Sequence, residues 1–202
     1  MDRLIDGYRR FRSTGWPERR ALFEQLAAHG QSPRALVIAC SDSRCDPSMV
    51  FDAAPGELFV IRNVAALVPP FGPDDAYHGT SAALEFAVRA LQVPDVIVMG
   101  HAMCGGIHAL LHGTPNPSYH FVGGWIAMAE AARDRVLAAT PLDQAQQATE
   151  YEAVKLSLDN LKTFPWIRDS LRDGRIRLHG TFFDIRTGIL ERLHPNGHFA
   201  PA

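Results

Sequence analysis

Three short apolar runs alternate with more polar stretches in the first half of the chain. They cover residues 35–39, 58–61 and 96–99, and each is continuously hydrophobic. A continuous run of this length is typical of a strand that is covered on both faces. Between the second and third runs, apolar positions recur at helical spacing over residues 80–91, which predicts a crossover helix. Strand, crossover and strand together predict an α/β fold with a central, mainly parallel β-sheet flanked by helices.

Further helices and one half-exposed strand are predicted around this sheet. Helices are expected over residues 1–12, 17–29, 105–111, 125–139 and 148–161, with a break at 115–117. We identify no catalytic or metal-binding residues in the sequences of the two helices at 125–139 and 148–161. Alternation of polar and apolar residues over 175–179 predicts a strand exposed on one side, which residues 181–190 extend around a turn at 187–188.

The composition is that of a globular protein. The chain has 202 residues, of which 47% are hydrophobic and 21% are charged. This length predicts a single domain over residues 1–202, with residues 1–30 as an N-terminal helical arm. The 20 basic and 22 acidic residues give a net charge of −2, so electrostatics gives no reason to expect nucleic acid or an anionic membrane as a partner. Because no apolar run has the length of a signal peptide or a membrane span, we expect a cytoplasmic protein.

The three cysteines are too few, and odd in number, for a disulfide framework. Two of them lie where predicted strands end, Cys40 after the first strand and Cys104 after the third, and His101, one of the nine histidines, lies close before Cys104. The segment CSDSR at 40–44 follows the first strand, and GHAMCGG at 100–106 follows the third. Since parallel sheets place ligands outside the carboxyl ends of their strands, both segments should open into one crevice.

Two thiolates and one imidazole in this crevice predict a zinc site. Cys40, His101 and Cys104 supply three good ligands, and a catalytic zinc leaves its fourth position for water. Cys104 immediately precedes a predicted helix, whose amino end favours a thiolate. The N–H groups of Gly105 and Gly106 are expected to hold an anion near the metal.

Asp42 has two alternative roles. Two residues after Cys40, it is placed either to be a fourth metal ligand or to accept a hydrogen bond from metal-bound hydroxide. Arg44 is placed to pair with this carboxylate in a bidentate manner, which competes with metal binding. The sequence therefore leaves open a switch between the two states.

Three linked motifs resemble the β-class carbonic anhydrases. They are CSDSR at 40–44, PGELFVIRNVA at 55–65 and GHAMCGG at 100–106. The resemblance implies one zinc per subunit held by Cys40, His101 and Cys104, with Asp42 and Arg44 as the catalytic dyad. It also implies a homodimer or a higher homo-oligomer, in which the N-terminal helices embrace the neighbouring subunit.

Further positions are similar to the plant-like members of this family. The resemblance assigns Gln31 and Phe59 to substrate binding, and Val64 is expected to line an apolar pocket for CO₂. Phe86 stands where those members usually have tyrosine. Members that are regulated by a non-catalytic bicarbonate site have tryptophan at the position of Val37. We therefore expect no such regulation, and a resting site that is open to water.

The function implied is the reversible hydration of CO₂ to bicarbonate and a proton, by zinc-bound hydroxide that Asp42 and Arg44 orient. Two alternatives remain open at this point. One is a carbonyl sulfide or carbon disulfide hydrolase on the same zinc scaffold. The other is a non-catalytic zinc or thiol-redox protein that uses Cys40 and Cys104 as a releasable pair.

Overall fold

The computed structural model describes residues 1–74, 76–116 and 118–202. Within them, six strands form one sheet in the order β2-β1-β3-β4-β5-β6. The strands are β1 (Ala35–Cys40), β2 (Leu58–Asn63), β3 (Asp95–His101), β4 (Arg177–Phe183), β5 (Leu190–Leu193) and β6 (Phe199–Pro201). The first four pair in parallel, while β5 and β6 add antiparallel strands at one edge. The predicted α/β fold with a mainly parallel sheet is confirmed.

Helices flank both faces of the sheet. They are α1 (Asp2–Arg10), α2 (Trp16–His29), α3 (Pro47–Val50), α4 (Gly79–Glu85), α5 (Gly105–His112), α6 (Val122–Ile126), α7 (Glu130–Ala139), α8 (Leu142–Leu161) and α9 (Pro165–Arg172). The helix predicted at 125–139 is interrupted, because a 3₁₀ turn at Ala127–Ala129 separates α6 from α7. Helix α8 begins at Leu142 rather than at 148, since its first two turns are too polar to show an apolar period. The predicted break at 115–117 includes residue 117, which lies outside the described residues.

The sheet separates two hydrophobic cores. The four central residues of β1 are fully buried, and successive side chains point to opposite faces. Leu36 and Ile38 pack into a core shared with α4, α8 and α9, whereas Val37 and Ala39 pack into a core shared with α5 and α6. The second core also contains all three cysteines. Burial on both faces explains why these strands are continuously apolar.

The N-terminal arm, α1 and α2, lies outside both cores. A wider π-type turn at Phe11–Gly15 joins the two helices without a loop, and neither helix has a buried residue. Leu4 is 74% exposed and Tyr8 is 58% exposed. The arm therefore presents apolar side chains that its own chain does not cover. Across the parts of the chain that are described, no helix combines the length and the hydrophobicity needed to cross a membrane.

The register of the parallel strands collects their carboxyl ends at one edge of the sheet. Cys40 is paired with Asn63, and Ala39 is paired with Met99. His101 is paired with Phe183 at the end of β4. The segments that follow β1 and β3 thus meet at this edge, as the sequence predicts.

Candidate metal centre

Three buried side chains bring their donor atoms together at the carboxyl edge of the sheet. One ligand atom each from Cys40, His101 and Cys104 lies within 4.8 Å of the other two. These residues are 6%, 1% and 2% exposed, respectively. Cys40 ends β1 and His101 ends β3, while Cys104 immediately precedes α5. The fold therefore assembles the three residues that the sequence predicts as ligands.

The geometry of this cluster suits a tetrahedral zinc ion. The sulfur atoms of Cys40 and Cys104 are 3.9 Å apart. Two sulfurs bound to one tetrahedral zinc at about 2.3 Å would lie roughly 3.8 Å apart. The Nδ1 atom of His101 forms a hydrogen bond with the carbonyl of Ala102 at 2.9 Å, which leaves Nε2 as the free donor atom. In the described part of the chain Nε2 has no hydrogen-bond partner, an unfavourable state for a buried nitrogen that metal ligation would relieve.

The two sulfur atoms share one hydrogen bond, so their protonation is linked. A hydrogen bond from Cys104 lowers the pKa of Cys40, although burial acts in the opposite direction. The same contact, together with burial, raises the pKa of Cys104. Cys45 behaves differently, because burial raises its pKa to about 12 and its thiol donates to the carbonyl of Asp42. It is fully buried in the second core and lies outside the ligand cluster, as expected for core filler.

Backbone N–H groups surround the ligand sulfurs. The N–H of Ala65 forms a hydrogen bond with Cys40 and lowers the pKa of that thiol. Ala65 has a φ of 65°, a left-handed conformation that is unusual for a residue with a side chain. The N–H groups of Gly106 and Ile107 do the same for Cys104. A Cβ atom at Gly106 would lie 2.7 Å from Val64, so only glycine fits at this point.

Asp42 and Arg44 form a tight pair beside the cluster. The backbone N–H and Nε of Arg44 both donate to Oδ1 of Asp42 at 2.9 Å, and Nη2 donates to Oδ2 at 2.7 Å. The hydrogen bonds from Arg44 hold the pKa of Asp42 well below its usual range. Arg44 also donates to the carbonyl of Met103 at 3.2 Å, which ties the pair to the loop that carries Cys104. Of the two roles left open for Asp42, this geometry corresponds to a carboxylate held by arginine.

Arg62 fixes the loop between Cys40 and Asp46. Its guanidinium donates to the carbonyl of Cys40 at 2.8 and 2.9 Å and to the carbonyl of Asp42 at 2.6 Å. It also binds the carboxylate of Asp46 at 2.7 Å. Asp46 in turn caps α3 by accepting from the N–H groups of Ser48 and Met49. The candidate ligand Cys40 and the Asp42–Arg44 pair are therefore held by a side chain from β2.

Two of the predicted substrate residues do not lie near the cluster of their own chain. Gln31 is exposed and precedes β1. Phe59 is paired with Leu36, four residues before Cys40, so it lies about 13 Å along the strand from the cluster. Its ring packs against Phe86, with a centroid distance of 5.9 Å. Within one chain, Val64 and Gly106 thus lie at the site, whereas Gln31 and Phe59 lie toward the opposite end of the sheet.

An apolar cavity lies next to the site. Its volume is about 590 Å³, and its lining includes Asn63, Val64, Phe121, Trp125 and Met128. Trp125 donates to the carbonyl of Val64 at 2.8 Å. None of the three candidate ligands lines this cavity, whereas Asn63, which is paired with Cys40, and the neighbouring Val64 do.

The sequence patterns do not identify two buried neighbours of the cluster. Glu150 and Gln146 on α8 both contact the backbone of Cys104, although that helix is predicted to carry no chemistry. The feature that points to them is the burial of Glu150, which lies on the buried face of α8 and is 3% exposed. Buried charged side chains are rare unless they are paired or have a specific role.

Comparisons with known proteins agree on one family. The family model described as carbonic anhydrase matches residues 35–190. A carbonic anhydrase from Pseudomonas aeruginosa is 40% identical over 198 residues, which cover 96% of this chain and 87% of that protein. A carbonic anhydrase from Synechococcus elongatus is 39% identical over 192 residues, which cover 93% of this chain and 70% of that protein.

Solved structures resemble the whole chain. The β-carbonic anhydrase CcaA is 36% identical, with a TM-score of 0.93 over 100% of this chain and 99% of that one. Tetrameric β-carbonic anhydrases from Sordaria macrospora include a structure that is 27% identical, with a TM-score of 0.83 over 98% of both chains. The similarity therefore extends beyond the matched motifs to the N-terminal arm and the antiparallel edge.

Proposed function

The chain belongs to the carbonic anhydrase family and is a member of its β class, and from that premise we propose how its residues carry out the reaction. Its activity is the reversible hydration of CO₂ to bicarbonate and a proton. The substrate is accordingly a small molecule. Membership of the family does not by itself assign a role to each residue of this chain. We propose these roles from the contacts that each residue makes.

We propose that Cys40, His101 and Cys104 hold one zinc ion in each subunit. The unpartnered Nε2 of His101 and the 3.9 Å distance between the two sulfurs support this ligand set. When bound there, zinc supplies a Lewis acid that lowers the pKa of a water molecule enough for attack on CO₂. The N–H groups of Ala65, Gly106 and Ile107 stabilise negative charge on the sulfurs, which would otherwise be costly in a buried site.

Asp42 is proposed to orient the reacting water, and Arg44 to keep Asp42 ionised and in place. The observation that carries this proposal is the bidentate Asp42–Arg44 pair two residues beyond a ligand. A carboxylate can accept about four hydrogen bonds, and three of these come from Arg44. The remaining lone pair accepts a hydrogen bond from the water and directs its oxygen toward CO₂, which is a positioning effect on the reacting atoms.

Metal analysis combined with stopped-flow CO₂ hydration tests these roles. We expect about one zinc per wild-type chain and loss of zinc in Cys104→Ala, with Cys45→Ala as the matched control that retains both metal and activity. A wild-type enzyme that hydrates CO₂ without zinc would refute the ligand set.

We further propose that a second copy of the chain completes the substrate pocket. Gln31 and Phe59 lie toward the end of the sheet opposite to their own cluster, so we assign them to the pocket of a partner. Val64, with Gly105 and Gly106, would line the same pocket from the chain that carries the zinc. The uncovered apolar side chains of the arm, including Leu4 and Tyr8, support its packing on that partner. The resulting unit is a homodimer or a larger homo-oligomer.

The arm offers a direct test of this assembly. Tyr8→Glu places a charge on the apolar side of α1, whereas Arg10→Glu places the same charge about 200° around the helix. In sedimentation velocity we expect Tyr8→Glu to dissociate and lose activity in parallel, and Arg10→Glu to remain assembled. Full activity in a monomeric Tyr8→Glu protein would contradict the shared pocket.

A cytoplasmic location and a single domain over residues 1–202 are part of the same proposal. Two of the three cysteines are needed as free thiols for the metal, and a reducing compartment preserves them. The continuous sheet from β2 to β6 supports one folding unit. Intact activity after limited proteolysis into separable halves would count against the single domain.

A further inference from the structure

A carboxylate on α8 is buried directly beneath the candidate metal centre. Glu150 is 3% exposed, and its Oε1 accepts a hydrogen bond from the N–H of Cys104 at 2.8 Å. Gln146, one turn earlier on the same helix, donates from Nε2 to Oε1 of Glu150 at 2.6 Å. The same Nε2 donates to the carbonyl of Cys104 at 3.2 Å. The two side chains therefore bind both polar backbone groups of one candidate ligand.

The close approach of α8 to β3 makes these contacts possible. A Cβ atom at Gly100 would lie 2.6 Å from the side chain of Val154, so glycine is needed where the helix crosses the strand. Val154 is one turn after Glu150, and the helix therefore presses Glu150 against the loop that follows β3. The packing that buries α8 also aims its carboxylate at Cys104.

The burial of Glu150 is unfavourable for stability taken alone. Moving a carboxylate out of water is costly, and replacement of a buried polar network by apolar groups is often neutral or stabilising. Burial raises the pKa of Glu150, while hydrogen bonds from Gln146 and Cys104 lower it. The contacts are concentrated on one metal ligand, which indicates that they serve the geometry of that ligand.

We propose that Glu150, supported by Gln146, is a positioning residue for the metal centre. It holds the Cys104 peptide so that Sγ stays 3.9 Å from the sulfur of Cys40, while Gly106 and Ile107 donate to the Cys104 sulfur. Glu150 lies outside the cluster of candidate ligands and acts through its contact with Cys104. This inference rests on the proposed zinc ligand set.

Two substitutions at Glu150 separate hydrogen bonding from charge. Glu150→Gln keeps an acceptor oxygen for Cys104, whereas Glu150→Met has a similar size and no such oxygen. The matched control is Leu161→Ala, which opens a cavity at the far end of the same helix, away from the crossing at Gly100 and without removing a contact to Cys104. Gln146→Met removes the second half of the contact and provides an independent test if Glu150→Met does not fold.

The readouts are zinc release to a chelator and the visible spectrum of the Co²⁺-substituted protein. Loss of a group that orients a ligand typically weakens metal binding by about 10- to 100-fold, so we expect Glu150→Met to release zinc roughly tenfold faster or more, with a shifted sulfur-to-cobalt absorption band. Gln146→Met should change both readouts in the same direction. Glu150→Gln should match the wild type in both, and Leu161→Ala should lower the melting temperature while leaving both unchanged.

Three results would overturn the inference. Wild-type zinc release and spectrum in Glu150→Met would show that the contact does not position Cys104. The same changes in Leu161→Ala would assign them to general loss of stability. A Glu150→Gln protein that behaves like Glu150→Met would assign the effect to charge. Failure of the zinc proposal itself is distinguishable, because the wild-type protein would then hold no stoichiometric zinc.

Discussion

Two Asp-x-Arg turns follow parallel strands of the sheet, and they have nearly the same internal geometry. In each, the arginine N–H donates to the aspartate at 2.9 Å. Nε and Nη2 bind the carboxylate at 2.9 and 2.7 Å in the Asp42–Arg44 turn, and at 3.0 and 2.9 Å in the Asp184–Arg186 turn. The arginine holds the pKa of each carboxyl below its usual range.

The two turns differ in what surrounds them. Asp42 lies two residues from Cys40, and Arg44 reaches the carbonyl of Met103 beside Cys104. The Asp184–Arg186 turn follows β4, and in the described structure the side chain of Asp184 is bonded only within residues 184–187. In both turns the hydrogen bonds stabilise a carboxylate, but only Asp42 lies beside the candidate metal ligands, where we propose that it orients the reacting water.

The largest expected effect separates the two aspartates. Asp42→Asn should lower kcat/KM for CO₂ hydration by about 100-fold or more. An amide has one acceptor oxygen where the carboxylate has two, so none is left to accept a hydrogen bond from the reacting water and orient it. Asp184→Asn makes the same chemical change in a matching turn and should leave kcat/KM within about threefold of wild type. Stopped-flow hydration at a fixed pH measures both, with zinc content determined on the same samples.

Equal losses of activity in the two variants would remove the distinction between the turns. Loss of zinc from Asp42→Asn would instead assign Asp42 to the ligand set. We expect full zinc occupancy in both proteins.

The fold and the ligand cluster follow closely from the sequence, whereas the supporting contacts do not. Continuous apolar runs identify β1, β2 and β3. Because the carboxyl ends of parallel strands lie at one edge of the sheet, the sequence also predicts that Cys40 and His101 are close together. Local patterns do not reveal that α8 crosses β3 at Gly100 and aims Glu150 at Cys104. That contact joins residues 46 positions apart and depends on packing between elements.

The sequence also leaves undetermined which active site two predicted substrate-binding residues would belong to. Gln31 and Phe59 stand at positions that predict substrate binding, yet the β1–β2 register leaves them away from the cluster of their own chain. A pattern along one chain cannot say which subunit a residue serves. The uncovered arm is the structural feature that directs attention to a second copy.

A smaller effect is expected from the arginines of the two turns. Arg44→Gln removes the two side-chain hydrogen bonds to Asp42 and its link to Met103, while the backbone N–H of residue 44 still donates. The carboxylate would then be less constrained, and we expect about a tenfold loss of kcat. Arg186→Gln should lower kcat much less, because the hydrogen bonds of Arg186 go to Asp184 and only its charge acts on Glu150. An Arg44→Gln enzyme as active as Arg186→Gln would show that the backbone turn alone holds Asp42.

The smallest effect concerns an Asp–Arg pair at the other end of the sheet. Asp95 begins β3, six residues or about 20 Å before His101, and binds Arg177 at 2.7 and 2.8 Å and His179 at 2.7 Å. Hydrogen bonds from Arg177 and then His179 lower the pKa of Asp95, against the opposing effect of burial.

This pair should contribute to stability and not to catalysis. The pKa of Asp95 is lower in the folded state, so the stabilisation is fully present above the unfolded value of about 3.9 and is lost as the pH falls through the folded value. Asp95→Asn should therefore lower the free energy of unfolding by on the order of 1 kcal/mol at pH 7, since Arg177 is largely exposed. The difference should shrink below about pH 4, and kcat/KM should not change. Urea unfolding of both proteins at pH 7 and pH 3 measures this, and a deficit that stayed constant would mean that the ion pair is not its source.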